Sequence, residues 1–170
     1  PALSSLINSD AKIWAFEPNP LSFRCAEITI LLNNISNVKL HKFGIGDSDY
    51  ILNLLTTSSD GKRHFGGTAR LVKRKTENTV AVRVKRLDDV IPKDRIISII
   101  HIDVEGFEEK ALLGAEKIIS KDKPLIISEV REGVTNKIMD KLGYEFYLGL
   151  EETTWVDGYR NAVFRHKNSN

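Results

Sequence analysis

Short apolar runs that alternate with helix-like segments constrain the fold more strongly than any other feature of this sequence. Ile96–Ile102 is the most apolar of these runs, and Leu125–Val130 is another. Strands that are apolar on both faces are typical of parallel sheets covered by helices on both sides. The last two runs, Tyr144–Leu150 and Asn161–Arg165, are close enough along the chain to form an antiparallel edge. The sequence therefore predicts an α/β fold with a mostly parallel sheet.

The remaining segments have clear helix and strand signatures, and they are interrupted by one long polar stretch. We predict further strands at Ile13–Phe16, Val38–Phe43, Tyr50–Thr56 and Val80–Val84, and helices at Leu21–Asn33, Leu87–Val90, Glu108–Ser120 and Val134–Leu142. Residues 58–79 are rich in Lys, Arg and Gly and predict a basic surface loop. With no linker or internal repeat, residues 1–170 are predicted to form a single domain.

Charge, hydropathy and cysteine content exclude several classes of protein. The net charge of +2 does not indicate a nucleic-acid partner, and no apolar run approaches the roughly 18 residues of a membrane span. Cys25 is the only cysteine, so an intrachain disulfide is impossible and a cytoplasmic setting is expected. In the Leu21–Asn33 helix, Cys25 is expected to be a small buried residue.

Acidic residues follow nearly every predicted strand. Glu17 and Asp47 come after the strands at Ile13–Phe16 and Val38–Phe43, Asp103 and Glu105 come after the most apolar strand, and Glu129 lies near the end of the next one. Ligands of open α/β sheets bind at the carboxyl ends of the strands. Each acid alone is equally consistent with a helix cap or a turn. Together, on one edge, they favour a ligand site.

Glu17 is the most specific of these acids. A carboxylate at the tip of a strand in a nucleotide-binding α/β fold typically accepts both hydroxyl groups of a ribose, since its two oxygens match two adjacent donors. This chemistry suits NAD and S-adenosylmethionine equally well. The position of Glu17 therefore predicts a nucleoside cofactor without choosing between the two.

Several blocks, in order along the chain, resemble the FkbM-type methyltransferases. The blocks are AFEPNP at residues 15–20, FGIGD at 43–47, VKRLDD at 84–89, HIDVEGFE at 101–108 and LLGAE at 112–116. The resemblance implies a Rossmann-like class I methyltransferase fold with S-adenosylmethionine as methyl donor. It also implies an enzyme that methylates a hydroxyl of a sugar or of an acceptor similar to a natural product.

The resemblance also implies roles for individual residues. Glu17 is expected to bind the ribose hydroxyls together with Pro18 and Asn19, and Asp47 is expected beside the adenine with Gly46. Asp103 and Glu105 are expected to face the methyl group and the acceptor, and Asp103 also belongs to the expected cofactor set.

The sequence departs from the family pattern in two places. The first strand and the glycine-rich loop after it are not found, and we expect them upstream of Pro1 in a longer gene product. His101 stands where the family usually has lysine, which leaves the role of that position open.

Methyl transfer from a sulfonium to an alcohol needs alignment of the acceptor and a group that takes up its proton. Asp103 is the first candidate for this base and His101 is the second. Asp103 and Glu105 could instead share a metal ion, but no compact ligand motif is present and no metal is predicted. Arg70, in the basic loop, and Glu129 are the expected acceptor contacts, and the basic loop favours an anionic small molecule or glycan.

Two other functions remain open from the residues. An NAD-dependent oxidoreductase would also use Glu17, although the Asp103–Gly106 block argues against it. The second open function is a non-catalytic binding module built on a decayed methyltransferase fold. The acceptor and the oligomeric state are not predicted.

Overall fold

In the computed structural model, the described residues are 10–56, 70–72, 75–104, 106–130, 135–150 and 160–169. They fall into two compact units, one within residues 1–85 and the other within residues 86–170. The α/β fold class predicted from the sequence is confirmed, whereas a mostly parallel sheet stays a prediction. That residues 1–170 form a single domain stays a prediction.

The first unit begins with a β-α-β segment. Strand β1 (Ile13–Phe16), helix α1 (Pro20–Leu32) and strand β2 (Val38–His41) follow one another, and β1 pairs with β2 in parallel, with Ile13 opposite Val38 and Phe16 opposite His41. The Asn37 side chain donates to the carbonyl oxygen of Ala11 at 2.9 Å, which ties the starts of the two strands together. The carboxyl ends of β1 and β2 therefore lie side by side.

A second sheet follows in the same unit. Its strands are β3 (Gly44–Ile45), β4 (Tyr50–Leu55), β5 (Arg70–Val72) and β6 (Thr79–Lys85), in the order β3-β6-β4-β5. The β3–β6 pair is parallel and the other two pairs are antiparallel. Strand β5 corrects the sequence prediction, because part of the basic segment 58–79 is a strand rather than a loop. A strand of three residues is too short to show a periodic pattern in the sequence, and its pairing with β4 is visible only in the structure.

Helix α1 presents an apolar stripe that is exposed. The exposed fractions are 40% for Leu21, 43% for Ile28 and 75% for Leu32, and Cys25 on the same stripe is also exposed. The prediction that Cys25 is buried is therefore wrong. Helical spacing shows which side chains share a face. It does not show whether another element covers that face.

The second unit is built on one four-stranded sheet. Its strands are β7 (Ile99–Ile102), β8 (Leu125–Val130), β9 (Tyr144–Gly149) and β10 (Arg160–His166), in the order β7-β8-β10-β9. The β7–β8 pair is parallel, and β10 is antiparallel to both of its neighbours. The predicted antiparallel C-terminal edge is thus confirmed. Strand β7 is shorter than predicted, and Ile96 is 79% exposed before it begins.

Four helices of the second unit connect or flank these strands. They are α2 (Leu87–Val90), α3 (Glu108–Leu113), α4 (Glu116–Asp122) and α5 (Thr135–Lys141), among the residues that the structure describes. The single helix predicted over Glu108–Ser120 is in fact two, separated at Gly114. The Asp88 carboxylate accepts the amides of Lys117 and Ile118 at 3.2 and 3.1 Å, so α2 caps the start of α4.

The core of the second unit lies between the helices and one face of the sheet. Ile100, Ile126, Leu112 and Ile119 are buried there. Tyr144 is fully buried, its hydroxyl donates to the carbonyl oxygen of Pro124 at 2.8 Å, and burial raises its pKa to about 12. Alternation along β7 turns Ile100 and Ile102 into this core and leaves Ile99 and His101 exposed on the opposite face.

Parallel pairing is found at β1–β2, β3–β6 and β7–β8, while the other pairs among the described strands are antiparallel. Within the described ranges, no helix is both long and apolar enough to cross a membrane.

Candidate functional site

Glu17 is the first residue after β1, and its carboxylate is held in place by the backbone. Its amide donates to the carbonyl oxygen of His41 at 3.0 Å, which continues the β1–β2 pairing by one residue. Its Oε1 atom accepts the amide of Asn19 at 2.7 Å. Glu17 is half-buried, and burial raises the pKa of its carboxyl, while the hydrogen bond from Asn19 opposes this rise. The result is an oriented, partly desolvated carboxylate at a strand end.

Asn19 joins this carboxylate to helix α1. It is the N-cap of the helix, with extended backbone angles, and its Oδ1 atom accepts the amides of Leu21 at 3.0 Å and Ser22 at 3.5 Å. Pro20 occupies the first helical position, where a missing amide proton costs nothing. Asn19 is 3% exposed. Its side chain caps the helix, and its backbone amide donates to Glu17. Contact of Asn19 with a cofactor stays a prediction.

Pro18 packs close to the start of β3. A Cβ atom placed on Gly44 would lie 3.8 Å from the Cβ of Pro18 and 3.6 Å from Cγ2 of Val84. Two residues further on, Gly46 is buried, and its amide donates to the carbonyl oxygen of Lys85 at 2.9 Å. The turn after β1 and the start of β3 are therefore neighbours, and the roles of Pro18 and Gly46 in cofactor binding stay a prediction.

Asp47 lies in the turn between β3 and β4. Its Oδ1 atom accepts the hydroxyl of Tyr50 at 2.9 Å. Burial and this carboxylate together raise the pKa of Tyr50 to about 12. The observed contact orders the turn, and the role of Asp47 beside an adenine stays a prediction.

Three neighbouring rings at the ends of β1 and β2 were not anticipated from the sequence, and two of them, those of Phe16 and His41, are stacked. The ring of His41 lies 5.3 Å from that of Phe16 and 5.2 Å from that of Phe43, centroid to centroid. The Nε2 atom of His41 is buried and has no hydrogen-bond partner among the described residues. Burial lowers the pKa of His41, and the charges of Lys39 and Lys85 lower it further. The β1–β2 register pairs the Cα atoms of Phe16 and His41 and so puts both side chains on one face, and alternation along either strand alone does not show this.

The end of β7 and the turn after it carry the candidate catalytic residues of the second unit. His101 is exposed on β7, with its Cα opposite that of Ile127, and Asp103 is exposed directly after the strand. Glu105 lies outside the described residues. The amide of Phe107 donates to the carbonyl oxygen of Val104 at 3.3 Å, which closes a turn.

The predicted acceptor contacts are less well defined. Glu129 is half-buried in β8, with its Cα opposite that of Asn161. The backbone of Arg70 pairs with Leu55 in β5, and its side chain lies outside the described residues. Within the described part of the chain, no group of three or more His, Cys, Asp or Glu side chains gathers as metal ligands.

The predicted site residues thus divide between the units. Glu17, Pro18, Asn19, Gly46, Asp47 and Arg70 belong to the first unit, and His101, Asp103 and Glu129 belong to the second. Within the first unit, Glu17 is hydrogen-bonded to Asn19, and Pro18 lies close to β3.

Three comparisons with known proteins give matches to methyltransferases. The family model described as "Methyltransferase FkbM domain" matches residues 4–146. "Methyltransferase 1" from Beauveria bassiana (strain ARSEF 2860) is 30% identical over 123 residues, which are 61% of this chain and 49% of that protein. The crystal structure of methyltransferase FkbM from Methylobacillus flagellatus KT has a TM-score of 0.64 at 19% identity, over 97% of this chain and 40% of that one.

The chain spans about half the length of the fungal relative and less than half of the bacterial one. The structural likeness, at this identity, concerns the fold. The family model, in contrast, covers most of the chain, including both the turn after β1 and the turn after β7. This chain therefore belongs to the FkbM methyltransferase domain family.

Proposed function

We propose that this chain is part of an S-adenosylmethionine-dependent methyltransferase that methylates a hydroxyl group of a sugar or natural-product-like acceptor. The observation that carries the proposal is the oriented carboxylate of Glu17. Family membership supports methyl transfer as the reaction class. The cofactor, the acceptor and the position of the methyl group are part of the proposal.

The residues at the end of β1 fit the nucleoside part of the cofactor. A ribose offers two adjacent hydroxyl donors, and a carboxylate is an acceptor with two oxygens. In Glu17 one oxygen already accepts the amide of Asn19 at 2.7 Å, which orients that oxygen. Partial burial strengthens hydrogen bonds to this charge, because less water competes for it. Hydrogen bonds to a charged group contribute about 1.5–3 kcal/mol each.

The reacting group is supplied by the cofactor, whose sulfonium carries the methyl group. The chain must hold the acceptor oxygen in line with that methyl group and take up the hydroxyl proton. Asp103 is the proposed base, since it is exposed at the end of β7, and His101 is the alternative on the same strand. Glu105 is proposed to contact the acceptor beside them.

The acceptor side of the proposal rests on charge. Residues 58–79 contain several Lys and Arg residues, which favour an anionic acceptor such as a phosphorylated or nucleotide-linked sugar. Arg70 and Glu129 are the proposed acceptor contacts. The single cysteine supports a reducing, cytoplasmic setting for the reaction.

The proposal can be tested with the full-length gene product that contains this chain. S-Adenosylmethionine is titrated into the protein in a calorimeter, and NAD is titrated in a parallel experiment. We expect S-adenosylmethionine to bind and NAD not to bind. We also expect Glu17→Ala to lose the binding and Glu27→Ala to keep it, since Glu27 pairs with Arg24 on an exposed face of α1.

Two results would contradict the proposal. Binding of NAD alone would favour an oxidoreductase. A folded protein that binds neither compound would favour a non-catalytic module on the same fold.

A further inference from the structure

Tyr50 reaches back to an acid of the turn that precedes its strand. It is the first residue of β4, where its Cα lies opposite that of Val84 in β6. Its hydroxyl donates to Oδ1 of Asp47 at 2.9 Å. Burial and the Asp47 carboxylate raise the pKa of Tyr50 to about 12, so the hydroxyl keeps its proton and remains a donor at neutral pH. The carboxylate of Asp47 is therefore attached to a residue of the sheet.

The turn that carries Asp47 crosses the end of β6. Strands β3 and β4 lie on either side of β6. The amide of Gly46 donates to the carbonyl oxygen of Lys85 at 2.9 Å, which fastens the start of the turn to the last residue of β6. A side chain on a strand holds a functional group more precisely than a side chain on a loop. Tyr50, as a residue of β4, is thus a firm support for Asp47.

This turn also lies close to the end of β1. A Cβ atom placed on Gly44 would lie 3.8 Å from the Cβ of Pro18, the residue directly after Glu17. Asp47 follows Gly44 by three residues, so their Cα atoms are at most about 11 Å apart. The turn is therefore within reach of the base of a nucleoside whose ribose is bound by Glu17.

We propose that Tyr50 is a positioning residue that holds the Asp47 carboxylate as an acceptor for the 6-amino group of the cofactor's adenine. A carboxylate accepts hydrogen bonds and donates none, so it favours a base with an amino group at that position over a base with a carbonyl group. The amino group of adenine is such a donor. Tyr50 thereby contributes to the choice of the base without contacting it. The inference rests on the proposed function, because it requires S-adenosylmethionine as the cofactor and Asp47 beside its adenine.

The contact can be tested by nuclear magnetic resonance without any cofactor. The full-length protein is labelled with ¹³C at Cζ of tyrosine, and the Tyr50 resonance is identified by its absence in Tyr50→Phe. We expect Asp47→Ala to shift this resonance, because the hydroxyl loses its charged acceptor. Asp49→Ala is the matched control, since it removes an acid of the same turn that pairs with Arg83 at 2.8 Å, and it should leave the resonance in place. A Tyr50 resonance at the same position in both variants would overturn the contact.

Calorimetry tests the positioning role with two cofactors that differ only in the base. S-Adenosylmethionine is compared with its deaminated analogue, S-inosylmethionine, in which a carbonyl group replaces the 6-amino group. We expect the wild type to prefer the natural cofactor by about tenfold or more, as for one hydrogen bond to a charged group, and Tyr50→Phe to lose most of this preference. Tyr144→Phe is the matched control, since it also removes a hydroxyl hydrogen bond, which Tyr144 donates to Pro124 at 2.8 Å, and it should keep the preference.

A double-mutant cycle shows whether Tyr50 acts through Asp47. Tyr50→Phe should raise the Kd for S-adenosylmethionine about threefold or more in the wild type, and less than about twofold in Asp47→Ala. Asp47→Ala, which keeps Tyr50, should lose the base preference as well. Thermal unfolding of each variant shows which of them are folded.

Two kinds of result separate the positioning role from the proposed function. Equal effects of Tyr50→Phe in the two backgrounds, or an unchanged base preference in Tyr50→Phe or in Asp47→Ala, would overturn the positioning role alone. A wild type that binds no S-adenosylmethionine would overturn the proposed function and the positioning role together, and the Tyr50 resonance would then test the contact by itself.

Discussion

The turns after β1 and after β7 each contain a glutamate that accepts a backbone amide two residues away, but on opposite sides along the chain. At the end of β1, Glu17 accepts the amide of the residue two positions later, Asn19. At the end of β7, Glu108 accepts the amide of the residue two positions earlier, Gly106. In the first turn the acid expected to bind a ligand is itself fixed. In the second turn the hydrogen-bonded acid is the buried Glu108, and Asp103 is exposed. In the first turn the hydrogen-bonded carboxylate is thus the proposed ligand contact itself, and in the second the two belong to different residues.

This difference predicts unequal losses when each acid is removed. Glu17→Ala should raise the Kd for S-adenosylmethionine about 100-fold, because two hydrogen bonds to one charged group are lost. Asp103→Ala should raise it less than about tenfold, since contacts of exposed charges contribute little. Calorimetry on both variants measures the ratio. A larger loss for Asp103→Ala would reverse the comparison between the two turns.

The turn after β7 depends on glycine, and the turn after β1 does not. Gly106→Ala should lower the free energy of unfolding by about 1–2 kcal/mol, since alanine is strained at a φ of +93°. Chemical denaturation measures the change. Gly106→Asn should cost less, because asparagine enters positive φ more readily. Equal stability of the wild type and the alanine variant would show that the turn adopts another conformation.

The turn after β1 depends instead on the helix cap. Asn19→Ala should lower the free energy of unfolding by about 1 kcal/mol, because the amides of Leu21 and Ser22 lose their acceptor. Asn19→Asp keeps an acceptor and should retain wild-type stability. Asn19→Ala should also bind S-adenosylmethionine more weakly than Asn19→Asp, because the cap orients the backbone amide of residue 19 that Glu17 accepts. Loss of affinity in Asn19→Asp as well would indicate direct contact of the amide group with the cofactor.

The smallest expected effect is the pH dependence of the contribution of Glu17 to the free energy of unfolding. Burial raises its pKa in the folded protein above the usual value of 4.5, so the folded state binds the proton more tightly than the unfolded state. The stabilising contribution is complete below pH 4.5 and is lost as the pH rises through the folded pKa. Glu17→Gln should therefore be more stable than the wild type at neutral pH, and this advantage should shrink as the pH falls. Chemical denaturation at a series of pH values measures the difference in stability between Glu17→Gln and the wild type. A difference that grows as the pH falls would contradict a raised pKa of Glu17.

Much of the fold could be predicted from local sequence. Ile13–Phe16 and Leu125–Val130 are strands with the predicted bounds, because their apolar runs end at clear turn signals. The break at Gly114 was not predicted, because the apolar spacing continues through an interruption of two residues. The exposure of Cys25 escaped it too, because spacing along one helix contains no information on what packs against it.

The strand-end placement of two candidate site residues was predicted, but the hydrogen bonds around them were not. The strand-end positions of Glu17 and Asp103 follow from the strand boundaries, and both lie where expected. The hydrogen bonds from Asn19 to Glu17 and from Gly106 to Glu108 depend on turn conformation, which residue identity alone does not determine. The ring of His41 meets Phe16 only through the β1–β2 register.

The most direct test of the central claim asks whether Glu17 recognises the ribose hydroxyls. Binding of S-adenosylmethionine and of its 2′,3′-dideoxy analogue is measured by calorimetry in the wild type and in Glu17→Gln, which forms a cycle of four affinities. We expect the wild type to prefer the natural cofactor by about 100-fold, from two hydrogen bonds to a charged group, and Glu17→Gln to lose most of that preference. A preference of the same size in both proteins would contradict the assignment of Glu17 to the ribose.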